Sequence, residues 1–160
     1  MDIPKKQKIT DEKTALTKAE HYCAYQERSQ HEVRDKLFEW GLRAQVVEDI
    51  ISQLITSGFL NEERFAKAYA KGKFNQKAWG RLKIKQGLKL KRVPDVLIKK
   101  ALESLNPDAY LQTLEKVIQK KSALLNEKDP YKRRYKLQQY ARGRGFETDL
   151  VTDVLKDNGL

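Results

Sequence analysis

The sequence predicts an all-α protein: three tandem three-helix repeats in an elongated, curved array. Three observations predict this. An apolar pattern recurs three times along the 160 residues. Its spacing is helical each time, and capping residues mark where the helices start and stop. The composition agrees, since 39% apolar against 34% charged residues is lean for one thick core and suits thin helical layers.

The repeat is read by aligning three stretches. Trp40-Gly41-Leu42 is followed by RAQVVEDIISQL, Lys91-Arg92-Val93 by PDVLIKKALESL, and Arg144-Gly145-Phe146 by ETDLVTDVLKDN. An offset of 51 carries Leu42, Val46, Val47, Ile50, Ile51 and Leu54 onto Val93, Leu97, Ile98, Ala101, Leu102 and Leu105. An offset of 104 carries the first five onto Phe146, Leu150, Val151, Val154 and Leu155. Every one of these positions is apolar, and a period near fifty residues marks a repeat array.

Each element follows from local signals. A polar tail is expected over residues 1–14, with repeats over 15–60, 61–105 and 106–160. The leading helix of the first repeat is expected from about Thr17 to Arg28. Ser29 with Glu32 three residues on is a capping box for the second helix, which presents Val33 and Leu37 and stops at Gly41. Val46, Val47, Ile50, Ile51 and Leu54 make the stripe of the third. Gly58 ends it, Asn61 caps the next helix, and Glu62 and Glu63 suit that helix's positive end. Phe65, Ala68 and Tyr69 are expected as its inward face.

The next stretch, WGRLKIKQGLKLKRV, alternates charged and apolar residues and read alone suggests a hairpin. The repeat decides otherwise, because Val33 and Leu37 map onto Ile84 and Leu88 here and onto Leu137 and Ala141 in the third unit. A helix is therefore expected, although Gly87 inside it costs about 1 kcal/mol relative to Ala. In the third repeat Asn106 and Pro107 open one helix, and Asp129-Pro130 breaks the chain before another.

Charge carries the functional signal. The formal net charge is +11, and residues 67–100 hold twelve Lys or Arg against the single acid Asp95. The rest has twenty-one bases and twenty-one acids, so the whole excess is local. Solubility is served by mixed signs, whereas a one-sign block attracts polyanions such as nucleic acid. Lys71, Lys73, Lys77, Arg81, Lys83, Lys85, Lys89, Lys91 and Arg92 form the main candidate contact surface. Arg133, Arg134, Arg142 and Arg144, with Lys136, repeat the theme in the third unit. Such clusters bind single- or double-stranded DNA through its phosphates. Their Lys content suits phosphate contact more than base readout.

Aromatics interleave with these bases: Tyr69, Phe74 and Trp79, then Tyr131, Tyr135 and Tyr140. Phe74 and Trp79 are expected to pack between helices. Leu82 and Leu90 lie off the Ile84–Leu88 stripe and align with the polar His31 and Glu39, which leaves two readings open. They form a protein-contact patch, or a neighbouring helix covers them.

Other chemistry is excluded by its missing residues. Cys23 is the only cysteine, so neither a disulfide nor a thiolate cage can form within the chain, and it reads as a small core residue. His21 and His31 lack partners at metal-ligand spacing. No phosphate loop or nucleophile elbow is present, and the acid pairs Glu62-Glu63 and Glu48-Asp49 read as a helix start and a solvent face. No enzyme, cofactor or metal is expected. The N-terminus has no apolar core of a leader, no run approaches a membrane span, and no helix has a wide exposed apolar face. The expectation is a cytoplasmic monomer without membrane contact.

Four stretches resemble the RecX family of bacterial regulatory proteins: YQERSQHEVRDKLFEWG (Tyr25–Gly41), LITSGFLNEERFAKAYAKGK (Leu54–Lys73), WGRLKIKQGL (Trp79–Leu88) and YARGRGFETDLVTDVL (Tyr140–Leu155). The second is the most specific, with Gly58-Phe59-Leu60, capping Asn61 and Arg64-Phe65-Ala66. The resemblance runs from about Lys18 to Leu155. It implies three three-helix repeats, no catalytic residues, and a modulator that docks on the recombinase RecA and on RecA–DNA filaments, restraining strand exchange and co-protease activity. The chain departs from the usual pattern at Gly87 and in the lysine density of residues 83–91.

Overall fold

The computed structural model describes residues 11–160. Among them are nine α-helices and no strand: α1 (Glu12–Tyr25), α2 (Gln30–Glu39), α3 (Ala44–Thr56), α4 (Glu62–Lys77), α5 (Arg81–Leu90), α6 (Asp95–Glu103), α7 (Pro107–Leu124), α8 (Pro130–Gly143) and α9 (Thr148–Asp157). They form three consecutive units of three, each packed pairwise within itself.

The local signals act where the sequence places them. Ser29 and Glu32 close the capping box of α2, while Asn61 and Asn106 accept the Arg64 and Ala109 amides at the starts of α4 and α7. Pro130 sits in the first turn of α8 behind its cap Asp129. RLKIKQGLKL is helical, as the repeat requires. One expectation shifts. Asp11 accepts the Lys13 and Thr14 amides, so α1 starts at Glu12, five residues before Thr17, and stops at Tyr25. Residues 12–14 of the expected tail are therefore helical, and residues 1–10 lie outside the described part.

Burial repeats with the sequence. Val33, Ile84 and Leu137 are fully buried, as are Leu37, Leu88 and Ala141. Behind each pair the chain makes the same turn. The amides of Leu42, Val93 and Phe146 donate back to the carbonyls of Leu37, Leu88 and Ala141 at 3.3, 3.1 and 3.2 Å. The residue before each is left-handed, with φ of 88° at Gly41, 58° at Arg92 and 97° at Gly145. Arg92 thus holds a glycine position, at a cost of about 1–2 kcal/mol from its Cβ.

On α4 the inward face is Phe65, Ala66, Ala70 and Phe74, with Tyr69 half-buried. Ala68, expected on that face, is exposed, because the helix is rotated to seat Ala66 and Ala70 against its neighbours. Gly87 has a reason in this packing. A Cβ there would lie 2.0 Å from the Tyr69 hydroxyl, so the glycine makes room for α4 to close on α5.

The three units do not join equally. Unit 1 (α1–α3) has its own core, which includes the buried Cys23, whose thiol burial pushes up to about 11. Units 2 (α4–α6) and 3 (α7–α9) share one core. Phe74 stacks on Tyr110 at 5.8 Å, and Tyr110 tilts against Phe146 at 5.2 Å. Beside this stack two backbones touch. The Gly80 amide donates to the Arg144 carbonyl at 2.8 Å and the Leu82 amide to the Gly145 carbonyl at 2.9 Å. A Cβ on Gly80 would fall 2.4 Å from Gly145 backbone atoms.

Between units 1 and 2 the described links are polar. Arg64 meets Glu27 at 2.6 Å, Glu62 accepts the Gln30 amide at 3.2 Å, and Lys91 lies 3.8 Å from Glu32.

Candidate nucleic-acid interface

The cations selected from the sequence fall into three groups. Four hold the fold together. Arg81 reaches Glu147 at 2.7 Å and lies 3.8 Å above the Tyr110 ring, and its amide donates to the Tyr110 hydroxyl at 2.9 Å. That hydroxyl in turn donates to Glu147, and burial, then this carboxylate, raises the phenol's pKa. Arg144 donates to the Lys77 carbonyl, with its Nε buried and unpartnered. Arg133 closes the end of α7, donating to the Ser122 carbonyl and hydroxyl and to the Leu125 and Glu127 carbonyls. Lys91 belongs to the junction with unit 1.

Two more sit over rings. Lys73 lies 5.5 Å from Tyr69 and 5.0 Å from Trp79, and Lys83 lies 4.7 Å from Trp79. Trp79 is half-buried against the shared core and Phe74 is buried, so both pack between helices as expected.

The remaining seven, Lys71, Lys77, Lys85, Lys89, Arg92, Arg134 and Arg142, make no side-chain ion pair among the described residues. Arg134 is half-buried and the others are exposed. Lys71 and Lys77 are on α4, Lys85 and Lys89 on α5, and Arg92 is in the turn after it. Of the cations selected from the sequence, these five, together with Arg142 and Arg134 on α8, are the ones engaged by neither an acid nor a ring among the described residues.

Helix α5 presents two different sides. Arg81, Lys85 and Lys89, spaced by four, line one wall of a groove of about 650 Å³ whose floor and far wall come from α6 and the start of α7. Leu82, Lys83 and Gln86 face a second groove toward α8, opposite Gln139 and Arg142. Leu82 is 47% and Leu90 80% exposed, so no neighbouring helix covers either. Tyr131 and Tyr135 are also exposed, 88% and 61%.

Sequence reasoning missed the Tyr110–Glu147–Arg81 cluster and the Gly80–Gly145 contact, which join residues from twenty-nine to sixty-six positions apart without a local signature. It also missed the α5–α6 groove, although the row 81, 85, 89 was there to be read. Among the described residues no group of His, Cys, Asp or Glu is placed to hold a metal, and no helix is long and apolar enough to cross a membrane. The acid pairs are structural: Glu48 binds Arg34 at 2.7 Å, and Glu63 binds Lys100 at 3.1 Å.

Comparison with known proteins gives a consistent pattern. Models of the first, second and third three-helix domains of RecX match residues 15–54, 61–102 and 108–155. Regulatory protein RecX of Clostridium acetobutylicum is 31% identical over 134 residues, covering 81% of this chain and 62% of that protein. Regulatory protein RecX of Prosthecochloris aestuarii is 28% identical over 148 residues, covering 92% of this chain and 95% of that one. The chain thus spans about three fifths of the clostridial relative and nearly all of the other. The crystal structure of RecX from Lactobacillus salivarius superposes with a TM-score of 0.84 at 22% identity, over 91% of this chain and 95% of that one, a likeness of fold.

Proposed function

Since the chain belongs to the RecX family, a family of regulatory proteins and not of enzymes, we propose that it acts on the recombinase RecA and on RecA–DNA filaments. In this reading it limits filament growth or stability, and so restrains strand exchange and co-protease activity in recombination and repair. The observation that carries the reading is the concentration of uncompensated cations on one unit. Lys71, Lys77, Lys85, Lys89 and Arg92 lie within twenty-two residues of a chain that is otherwise balanced. Such a face is attracted to the phosphates of a filament, and each phosphate contact releases counterions. The exposed Leu82 and Leu90 lie among these cations and supply apolar area for contact with protein.

A second reading, a DNA-binding helical module without RecA contact, uses the same cations but leaves Leu82 and Leu90 unexplained. One experiment separates the two. Purified protein is titrated onto RecA–single-stranded DNA filaments while ATP hydrolysis and filament length are followed. The proposal expects both to fall, and expects replacement of Leu82 and Leu90 by Ser to relieve the effect while binding to free DNA persists. No response at several-fold excess over filament sites would sink it. Replacing Lys71, Lys77 and Arg92 by Glu should lower the slope of log affinity for duplex DNA against log salt by up to about 0.9 per lost phosphate contact.

A further inference from the structure

The repeat supplies an internal control for the α5–α6 groove. In unit 1 the two corresponding helices are tied by Arg34 on α2 and Glu48 on α3, whose guanidinium nitrogens reach both carboxylate oxygens at 2.7 and 3.2 Å. The offset of 51 that aligns the cores carries Arg34 onto Lys85 and Glu48 onto Lys99. Both line the groove. The clasp of unit 1 is therefore replaced in unit 2 by two lysines on the two helices that wall the groove; Glu103 of the same helix reaches Lys99 at 4.0 Å, and no acid among the described residues pairs with Lys85.

We propose that this groove is a docking site for an acidic amphipathic segment of a partner protein, whose carboxylates take the place that Glu48 holds in unit 1. Arg81, Lys85 and Lys89 run about 12 Å along α5, enough for two turns of a docked helix or an extended stretch of four residues. The floor is apolar: Ile98 and Leu105 are buried, and Leu102 is partly buried at the surface of the groove. Asp95 and Glu103 stand on the α6 side, where Glu103 reaches Lys99 at 4.0 Å. They repel a segment that is acidic all round and favour one that points carboxylates at α5 and aliphatic side chains at Leu102. A phosphate backbone matches the cations but has no group for the apolar floor and meets the two acids. Charge and floor together therefore favour peptide over nucleic acid.

The test needs neither RecA nor a filament, so its result stands apart from the action on filaments. A fluorescein-labelled peptide of about fourteen residues with Glu and Leu on opposite helical faces is titrated with the whole chain by fluorescence anisotropy. A peptide with Ser for Leu and a thymidine oligonucleotide of equal charge serve as competitors. Lys99→Glu rebuilds the unit 1 clasp, and Lys116→Glu on exposed α7 makes the same charge change elsewhere. Lys99→Glu and Leu102→Ser should each weaken the Glu/Leu peptide by about tenfold or more, with Lys116→Glu nearly neutral. Circular dichroism reports whether Leu102→Ser folds, and Lys99→Glu decides the matter if it does not. The proposal is overturned if the Ser peptide or the oligonucleotide competes as well as the Glu/Leu peptide, if the two lysine variants act alike, or if no peptide binds.

Discussion

Units 1 and 2 are built on one plan and differ in what they leave unsatisfied. Both bury the same helical positions and make the same left-handed turn after their second helix. Unit 1 ties its second and third helices together with Arg34 and Glu48 and closes its own core. Unit 2 carries the chain's charge excess, lines a groove with lysines from both of its later helices, and has no core of its own, sharing one with unit 3. An array of equal repeats can thus divide its tasks. One unit is self-sufficient, and the next takes its stability from its neighbour while its surface charges stay free for a partner.

The largest test of that contrast is Gly80→Ala. The added Cβ meets backbone that cannot move aside, so the joint between units 2 and 3 should lose about 4 kcal/mol or more. Hydrogen exchange should show protection falling in α4–α9 and surviving in α1–α3. Equal loss in unit 1 would break the idea of separate cores. The converse is Leu37→Ala in the unit 1 core, expected to cost about 3 kcal/mol. Affinity for duplex DNA should persist, since the cations proposed to contact it are in units 2 and 3.

Arg92→Gly gives a smaller effect of opposite sign. It relieves the left-handed strain and should raise stability by about 1 kcal/mol in thermal unfolding. The same change removes one free cation, so it should also weaken DNA binding modestly. A destabilised variant would show that the arginine side chain contributes more than its backbone costs.

Glu62, at the junction of units 1 and 2, gives the smallest effect and is read by pH. Its Oε1 is buried without a partner, and burial raises the carboxyl above its ordinary value of 4.5, outweighing the Gln30 amide and Arg34. The protonated form is favoured in the folded protein. The stability it contributes is fully present below pH 4.5 and is lost as pH rises through the raised value. Glu62→Gln should remove that decline, leaving a flatter curve of stability against pH above 4.5. An unchanged curve would place the decline elsewhere.

Much of this protein was legible in its residues, for identifiable reasons. Caps at Ser29, Asn61 and Asn106 and apolar rows at 33/37, 84/88 and 137/141 act within a turn or two of themselves, so local spacing predicts them. The start of α1 was misread because Asp11 and Thr14 looked like tail, and the exposed Ala68 because periodicity does not set a helix's rotation to within one residue. For the candidate site, sequence picked out the basic region but not which cations are free. Arg81 and Lys85 look equivalent along the chain. One is held by a carboxylate sixty-six residues away and the other by none among the described residues.

The sequence by itself determined the nine helices of the described residues, their grouping in threes and the location of the charge, because hydrophobic periodicity, capping and net charge are properties of short segments. Tertiary structure alone decided that units 2 and 3 merge while unit 1 stands apart, and that Gly80 and Gly145 must both lack a side chain. It also brought Lys85 and Lys99 to one groove. These outcomes depend on which surfaces meet across dozens of residues. Complementary shape and the pairing of charges settle that, and neither leaves a local signature in the chain.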